Sequence, residues 1–279
     1  MLQIAGGKPT LVPDLLEEIV ALARRAGFGR ILVQTNGIAI DARFLALVRD
    51  NRLGVGVSLD GPAEINDALQ GRTAEVLAGL RYPDAAGIGF GITTVLTRDS
   101  VAALPRLAML LAGFSGVRSI GLDILRPVGR GGLDDLPRAA EVAKAHAALR
   151  EALGWINARR AQPIKLREDS MVGCGGDRTG AYCPAERGAA VVLVPSGALY
   201  PCASVAGDPD HACGSAGRPD FAALARGLRA PDDSCAGCTL AGCRGRCPAR
   251  ALLSPRAAGL DCVLRRGTDR HAVESARHG

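Results

Sequence analysis

All nine cysteines of this 279-residue chain fall between Cys174 and Cys262, so the chain divides by chemistry into a thiol-free first part and a thiol-dense second part. A disulfide framework belongs to a secreted protein, but no charged N-terminal region followed by a long apolar run opens this one. No apolar run reaches the roughly 18 residues of a membrane span. The expectation is a soluble, cytoplasmic chain in which clustered thiols bind metal or do redox work. The net charge of +6 comes from 34 basic and 28 acidic residues that are interspersed, and only 3% of residues are aromatic. That pattern describes a solvated surface and argues against a nucleic-acid or membrane partner.

The first part alternates short β-rich runs with amphipathic stretches. Strands are expected at 2–5 ("LQIA"), 30–35 ("RILVQT"), 55–60 ("VGVSLD"), 89–96 ("GFGITTVL") and 119–125 ("SIGLDIL"). The stretch 13–27 reads as a helix with proline and acids at its start and a glycine stop, carrying Leu15, Leu16, Ile19, Val20 and Ala23 on one face. Further helices are expected at 41–50, 72–80 and 101–113, the last with a proline that kinks it or marks its start. Repeated alternation predicts an α/β fold of parallel strands with right-handed helical crossovers. A long helix within 131–165 bridges to a loop-rich region at 166–262, where "AVVLVPSGALYPC" reads as a hairpin turning at Pro195, Ser196 and Gly197. Residues 263–279 read as a polar tail.

The thiol spacings are Cys174-x8-Cys183-x18-Cys202, then Cys213, then Cys235-x2-Cys238-x4-Cys243-x3-Cys247-x14-Cys262. A segment so poor in regular structure needs staples, and bound metal makes ligation part of folding. Eight thiolates suffice for two four-thiolate sites. Zinc and iron-sulfur clusters both accept such a donor set, and spacing alone leaves both open.

Three motifs and the thiol pattern together resemble a radical S-adenosylmethionine (SAM) enzyme with a C-terminal SPASM domain, the peptide and protein maturases that include anaerobic sulfatase maturases. "GGKPTL" (6–11) resembles the family's GGEPTL, "QTNG" (34–37) its third-strand motif and "VSLDGPAEIND" (57–67) its fourth-strand motif. Cys183, Gly197 and Cys202 match the first thiol element of the SPASM pattern, and Cys235, Cys238, Cys243, Cys247 and Cys262 match the second with one residue fewer between Cys238 and Cys243. The resemblance implies two auxiliary [4Fe-4S] clusters, one on Cys174, Cys183, Cys202 and Cys247 and the other on Cys235, Cys238, Cys243 and Cys262. Cys213 is left over and reads as a core or free thiol. It also implies SAM binding near Gly6, Gly7, Thr35, Asn36, Ser58, Asp60, Thr94 and Arg126, against a competing reading of several of these as turn and cap residues. Arg167 and Glu168 read as a structural pair at the domain junction.

In that family a CxxxCxxC loop after the first strand holds the catalytic cluster, and no cysteine precedes Cys174 in this sequence. The resemblance therefore implies a partial (β/α)6 barrel over residues 1–130 that lacks its first βα unit, with a partner chain as one source of the missing strand. Lys8 stands where the family has the glutamate that receives the SAM amino group, and two like charges about 4 Å apart repel by roughly 4 kcal/mol at an effective dielectric near 20. Ala203 follows Cys202 where sulfatase maturases carry an aspartate, which points to a maturase of another peptide or protein. The expected function is hydrogen abstraction from a peptide, inactive in this chain alone. The alternatives are a non-catalytic iron-sulfur or electron-transfer protein and a zinc-stapled interaction domain.

Overall fold

Six strands hydrogen-bond in strict chain order, β1 (Leu2–Ile4), β2 (Ile31–Thr35), β3 (Gly54–Ser58), β4 (Phe90–Leu96), β5 (Val117–Ile124) and β6 (Lys165–Leu166). The computed structural model describes residues 1–6, 8–129, 131–171, 183–229, 238, 240 and 243–278. The sheet is parallel, with Val33 opposite Ile4 and Val55, Ser58 opposite Thr93, and Ile120 opposite Leu166. Parallel neighbours need crossovers, and right-handed crossovers between sequential strands put the connecting helices on one face. These are α1 (Pro13–Arg25), α2 (Ala42–Asp50), α3 (Ala63–Leu69), α4 (Thr73–Ala85), α5 (Leu104–Ala112) and α6 (Ala139–Asn157).

The strands alternate accordingly. Ile31, Val33, Val55, Val57, Phe90, Ile92, Leu96 and Ile120 are buried on the helix side. Gln34, Gly56, Ser58, Gly91, Thr93, Ser119 and Asp123 stand on the opposite face and are half-buried. A parallel sheet covered by apolar layers on both sides reads as continuous apolar runs, and this one does not. One face is core and the other is small and polar.

Several elements differ locally from the sequence expectation. Five strands were expected and the sheet has six, because Lys165–Leu166 is too short to show any period. Leu15 is 52% exposed, so the buried stripe of α1 narrows to Leu16, Val20 and Ala23. Pro105 marks the start of α5, after a 3-10 turn at Val101–Ala103. α4 runs past its expected end to Ala85 with Pro83 inside it.

Two compact units divide the chain, Met1–Asp123 with Lys144–Arg167, and Ile124–Ala143 with Glu168–Gly279. The second unit holds the expected hairpin, β7 (Val192–Leu193) and β8 (Leu199–Tyr200), which are antiparallel with Gly197 at φ 83°. It continues through β9 (Gly214–Ser215), β10 (Arg218–Pro219), α7 (Phe221–Arg226), α8 (Pro248–Leu253) and α9 (Pro255–His278). Residues 263–278, polar in composition, continue α9. Buried Ala257, Asp261, Leu264 and Thr268 recur there at helical spacing.

Candidate functional site

On the polar face of the sheet, Gln34 Nε2 donates to Ser58 Oγ at 3.1 Å, and Thr93 Oγ1 reaches Gln34 Oε1 at 3.5 Å. Arg167, just past β6, donates to Thr93 Oγ1 at 2.7 Å and to the Ile92 carbonyl at 3.2 Å. Glycine makes this possible. Gln34 lies over Gly56, Arg167 over Gly121, and Ser119 faces Gly91, positions where a β-carbon would collide with the overlying side chain. Long polar side chains therefore lie flat across neighbouring strands and form one hydrogen-bonded strip from β2 to the end of β6.

The strand ends next to this strip are occupied by turn chemistry. Thr35 is buried, accepts from the Gly37 amide at 3.2 Å and pairs with the Thr10 hydroxyl at 3.1 Å. Asn36 Oδ1 accepts from the Ile38 amide, Gly37 takes φ 82°, and Thr94 Oγ1 donates to the Leu59 carbonyl at 2.9 Å. Asp60 is 4% exposed and crosslinks three elements, accepting from the Val95 amide at 2.8 Å and from Gln70. Its own amide donates to Asn66 Oδ1 at 3.0 Å. Burial pushes the Asp60 carboxyl above the usual aspartate range; the Val95 and Gln70 hydrogen bonds oppose this, and the nearby Asp123 charge adds to it.

Of the residues expected to meet a cofactor, Ser58 is thus on the polar strip, Thr35 and Asp60 are buried where β2 and β3 end, and Thr94 is buried within β4 against the Leu59 carbonyl. Gly6 follows β1 at φ 80°, and Gly7 lies outside the described residues. Lys8 is exposed with φ 56°. Arg126 belongs to the second unit and acts electrostatically on Cys247. Gln34, Thr93 and Arg167 carry most of the strip and were not among the expected residues. The recurring small or polar residue at alternate strand positions was the signal that marks them.

In the second unit, Cys174 and Cys235 lie outside the described residues. Cys183, Cys202, Cys213, Cys238, Cys243, Cys247 and Cys262 form no disulfide. Cys202 packs against a buried cluster of Val205, Leu228, Cys247 and Ala249, and its Sγ accepts from the Ser204 amide at 3.5 Å. Burial pushes the Cys247 thiol up, against the pull of Arg250 and Arg126. Cys213 sits apart in an apolar cluster with Leu199, Ala223 and Leu224, as a core thiol does. Among the described residues no group of three or more His, Cys, Asp or Glu closes around one ion. Cys202 and Cys247 are thus brought to one cluster. Beside them, Arg250 Nη1 meets Asp261 Oδ1 at 3.2 Å with both side chains 3% exposed, and Asp261 Oδ2 accepts from the Cys247 amide at 3.1 Å.

The six-stranded parallel sheet matches the radical SAM fold of anSMEcpe and SuiB. The chain matches the structure of anSMEcpe with bound AdoMet and Kp18Cys peptide at 17% identity and a TM-score of 0.73, over 100% of this chain and 85% of that one. At that identity the likeness is one of fold. Among curated proteins it is 32% identical over 152 residues to an uncharacterized protein of Methanocaldococcus jannaschii, covering 51% of this chain and 52% of that protein. It is 35% identical over 111 residues to the Fe-coproporphyrin III synthase of Methanosarcina barkeri, 38% of this chain and 27% of that enzyme. The chain thus spans about half the length, or less, of these curated relatives. Its homologues with stated activities are radical SAM enzymes. No protein-family model matches the chain.

Proposed function

We propose that this chain is a radical SAM protein that modifies a peptide or protein, and the polar strip opposite the helices is the observation that carries the reading. Gln34 Nε2 and Oε1, Ser58 Oγ, Thr93 Oγ1 and the Arg167 guanidinium offer both donors and acceptors, with the guanidinium suited to a carboxylate. SAM, with its amino, carboxylate and hydroxyl groups, matches that inventory. The Thr35 and Asp60 turns hold the strand ends around it. A peptide substrate is supported by the peptide bound to anSMEcpe.

In the thiol unit, Cys174, Cys183, Cys202 and Cys247 would hold one auxiliary [4Fe-4S] cluster, and Cys235, Cys238, Cys243 and Cys262 the other. Such clusters, when bound, supply one-electron transfer. Cys247 is buried with half-buried Cys202 packed against the same cluster, and Arg126 and Arg250 would offset the negative charge of a Cys247 thiolate. Catalysis also requires a SAM-cleaving cluster, for which we assign no ligands in this chain. A partner chain supplying a further strand is supported by the place of β1 at the edge of the sheet, where a strand can add. No helix among the described residues is long and apolar enough to cross a membrane, and a cytoplasmic location is part of the proposal.

A second reading, an iron-sulfur protein that does not cleave SAM, is favoured by Lys8 at the end of the first strand's glycine turn. Equilibrium binding of SAM to the anaerobically reconstituted chain tests the site. Replacing Gln34 by Ala removes two hydrogen-bonding arms and is expected to weaken SAM about tenfold. Equal binding by Gln34→Ala and the unaltered chain, or no SAM binding by either, contradicts the proposal.

A further inference from the structure

The Arg250–Asp261 pair is nearly sealed from water, each side chain being 3% exposed. Burying two charges costs several kcal/mol per ion, and an apolar pair of similar volume is commonly as stable or more so. Stability therefore does not explain why this pair is here. Its hydrogen bond to the Cys247 amide does. The carboxylate divides its oxygens, Oδ1 to Arg250 and Oδ2 to the Cys247 amide. A hydroxyl or amide side chain would cap the start of the six-residue α8 without any buried charge. Asp261 also immediately precedes Cys262 in α9, so one side chain ties the backbone of one thiol to the helix that carries another, 14 residues on.

We propose that Asp261 is a positioning residue that couples the two thiolate sites, holding Cys247 by its backbone amide while its own helix sets Cys262. The inference rests on the assignment of Cys247 and Cys262 to different metal sites under the proposed function. The reason for an ion pair is directional. Arg250, on α8, fixes one carboxylate oxygen, so the carboxylate cannot rotate and the other oxygen stays aimed at Cys247. Cys247 in turn packs with Cys202, its companion in the same proposed site. A displacement at Asp261 is therefore transmitted to both sites, whereas loss of one ligand acts first on its own. Groups that orient a metal ligand without touching the metal typically contribute 10–100-fold to metal affinity.

The test uses the full chain, reconstituted anaerobically with iron and sulfide, and follows chelator-driven iron release together with the electron paramagnetic resonance signals of the reduced protein. Three variants are compared with the unaltered chain. In Arg250→Met/Asp261→Leu an apolar pair fills the volume and keeps the fold, as circular dichroism verifies, but removes the acceptor for Cys247. Asp261→Asn keeps one acceptor oxygen, and Cys213→Ser is the control outside both sites. The double variant is expected to release iron about 10–100-fold faster, with both cluster signals altered, while Asp261→Asn recovers most of the difference and Cys213→Ser has no effect. Unchanged release in the double variant overturns the inference, and so does a change confined to one signal. If the unaltered chain takes up no iron, the proposed function fails by itself. Amide hydrogen exchange at Cys247 in the metal-free chain then still reads the clamp: exchange at least about tenfold faster in the double variant supports the hold, and equal exchange overturns it.

Discussion

Gly79 of α4 faces the carbonyl oxygen of Gly37 so closely that a β-carbon at position 79 would overlap it. The obstacle is backbone, and it belongs to the turn that carries Thr35 and Asn36. Gly79→Ala is therefore expected to displace that turn and to destabilise the protein by about 1–3 kcal/mol, the range for overpacking a filled site. Gly154 in α6 has nothing within 4 Å of its added β-carbon, so Gly154→Ala is expected to be neutral or stabilising by up to about 1 kcal/mol. Denaturant unfolding of the two variants side by side checks both signs.

Gly56 presents the opposite case, because what lies over it is the tip of the flexible Gln34 side chain. Gly56→Ala can be accommodated by swinging Gln34 away, at a cost of roughly 1 kcal/mol. The swing breaks the bonds to Ser58 and Thr93. The variant is expected to fold with a near-normal melting temperature yet to lose SAM affinity to the same extent as Gln34→Ala, which calorimetric titration measures.

Burial raises the folded-state pKa of Asp60 above its ordinary value near 3.8. An acid with a raised folded pKa binds its proton more tightly when folded, so stability is greatest below the ordinary value and falls as pH rises through the raised one. Asp60→Asn removes that titration while keeping one acceptor oxygen. As pH rises from the ordinary aspartate value near 3.8 toward neutrality, the unaltered protein is expected to lose stability relative to Asp60→Asn. Parallel stability curves for the two proteins across that window contradict this origin of the shift.

Breaking the Arg250–Asp261 pair by Arg250→Met alone leaves a buried carboxylate without its guanidinium. That variant is expected to lose about 3–5 kcal/mol, while Arg250→Met/Asp261→Leu, which leaves only the Cys247 amide without its acceptor, loses less, about 1–3 kcal/mol. Chemical denaturation of the metal-free proteins distinguishes the two.

Much of this was legible in the residues. The β/α alternation marked five of the six strands and the helices between them, because each segment carries its own period. β6 escaped because two residues, Lys165 and Leu166, have none. The helical stripe that continues α9 was hidden by the polar composition of 263–279, since Asp261 and Thr268 are polar residues at buried positions. At the site, Ser58 was found through a motif, but Gln34, Thr93 and Arg167 meet only when strands 24 to 75 residues apart are laid side by side. Thr35 and Asp60 were read either as ligand contacts or as turn residues, and their side chains bond to the Gly37 and Val95 amides. The resemblance implied that Cys202 and Cys247 share a site and left Cys213 over, and the structure packs the first two against one buried cluster with Cys213 in another, while the Asp261 clamp depends on a tertiary contact that no spacing encodes.

The central claim is that the thiol unit holds iron-sulfur clusters within a radical SAM fold, and anaerobic reconstitution followed by metal and sulfide analysis tests it most directly. The account predicts about eight irons and eight sulfides per chain, four of each per site, with Cys202→Ser losing about half and Cys213→Ser none. A colourless protein that holds zinc alone, or no metal, would contradict it.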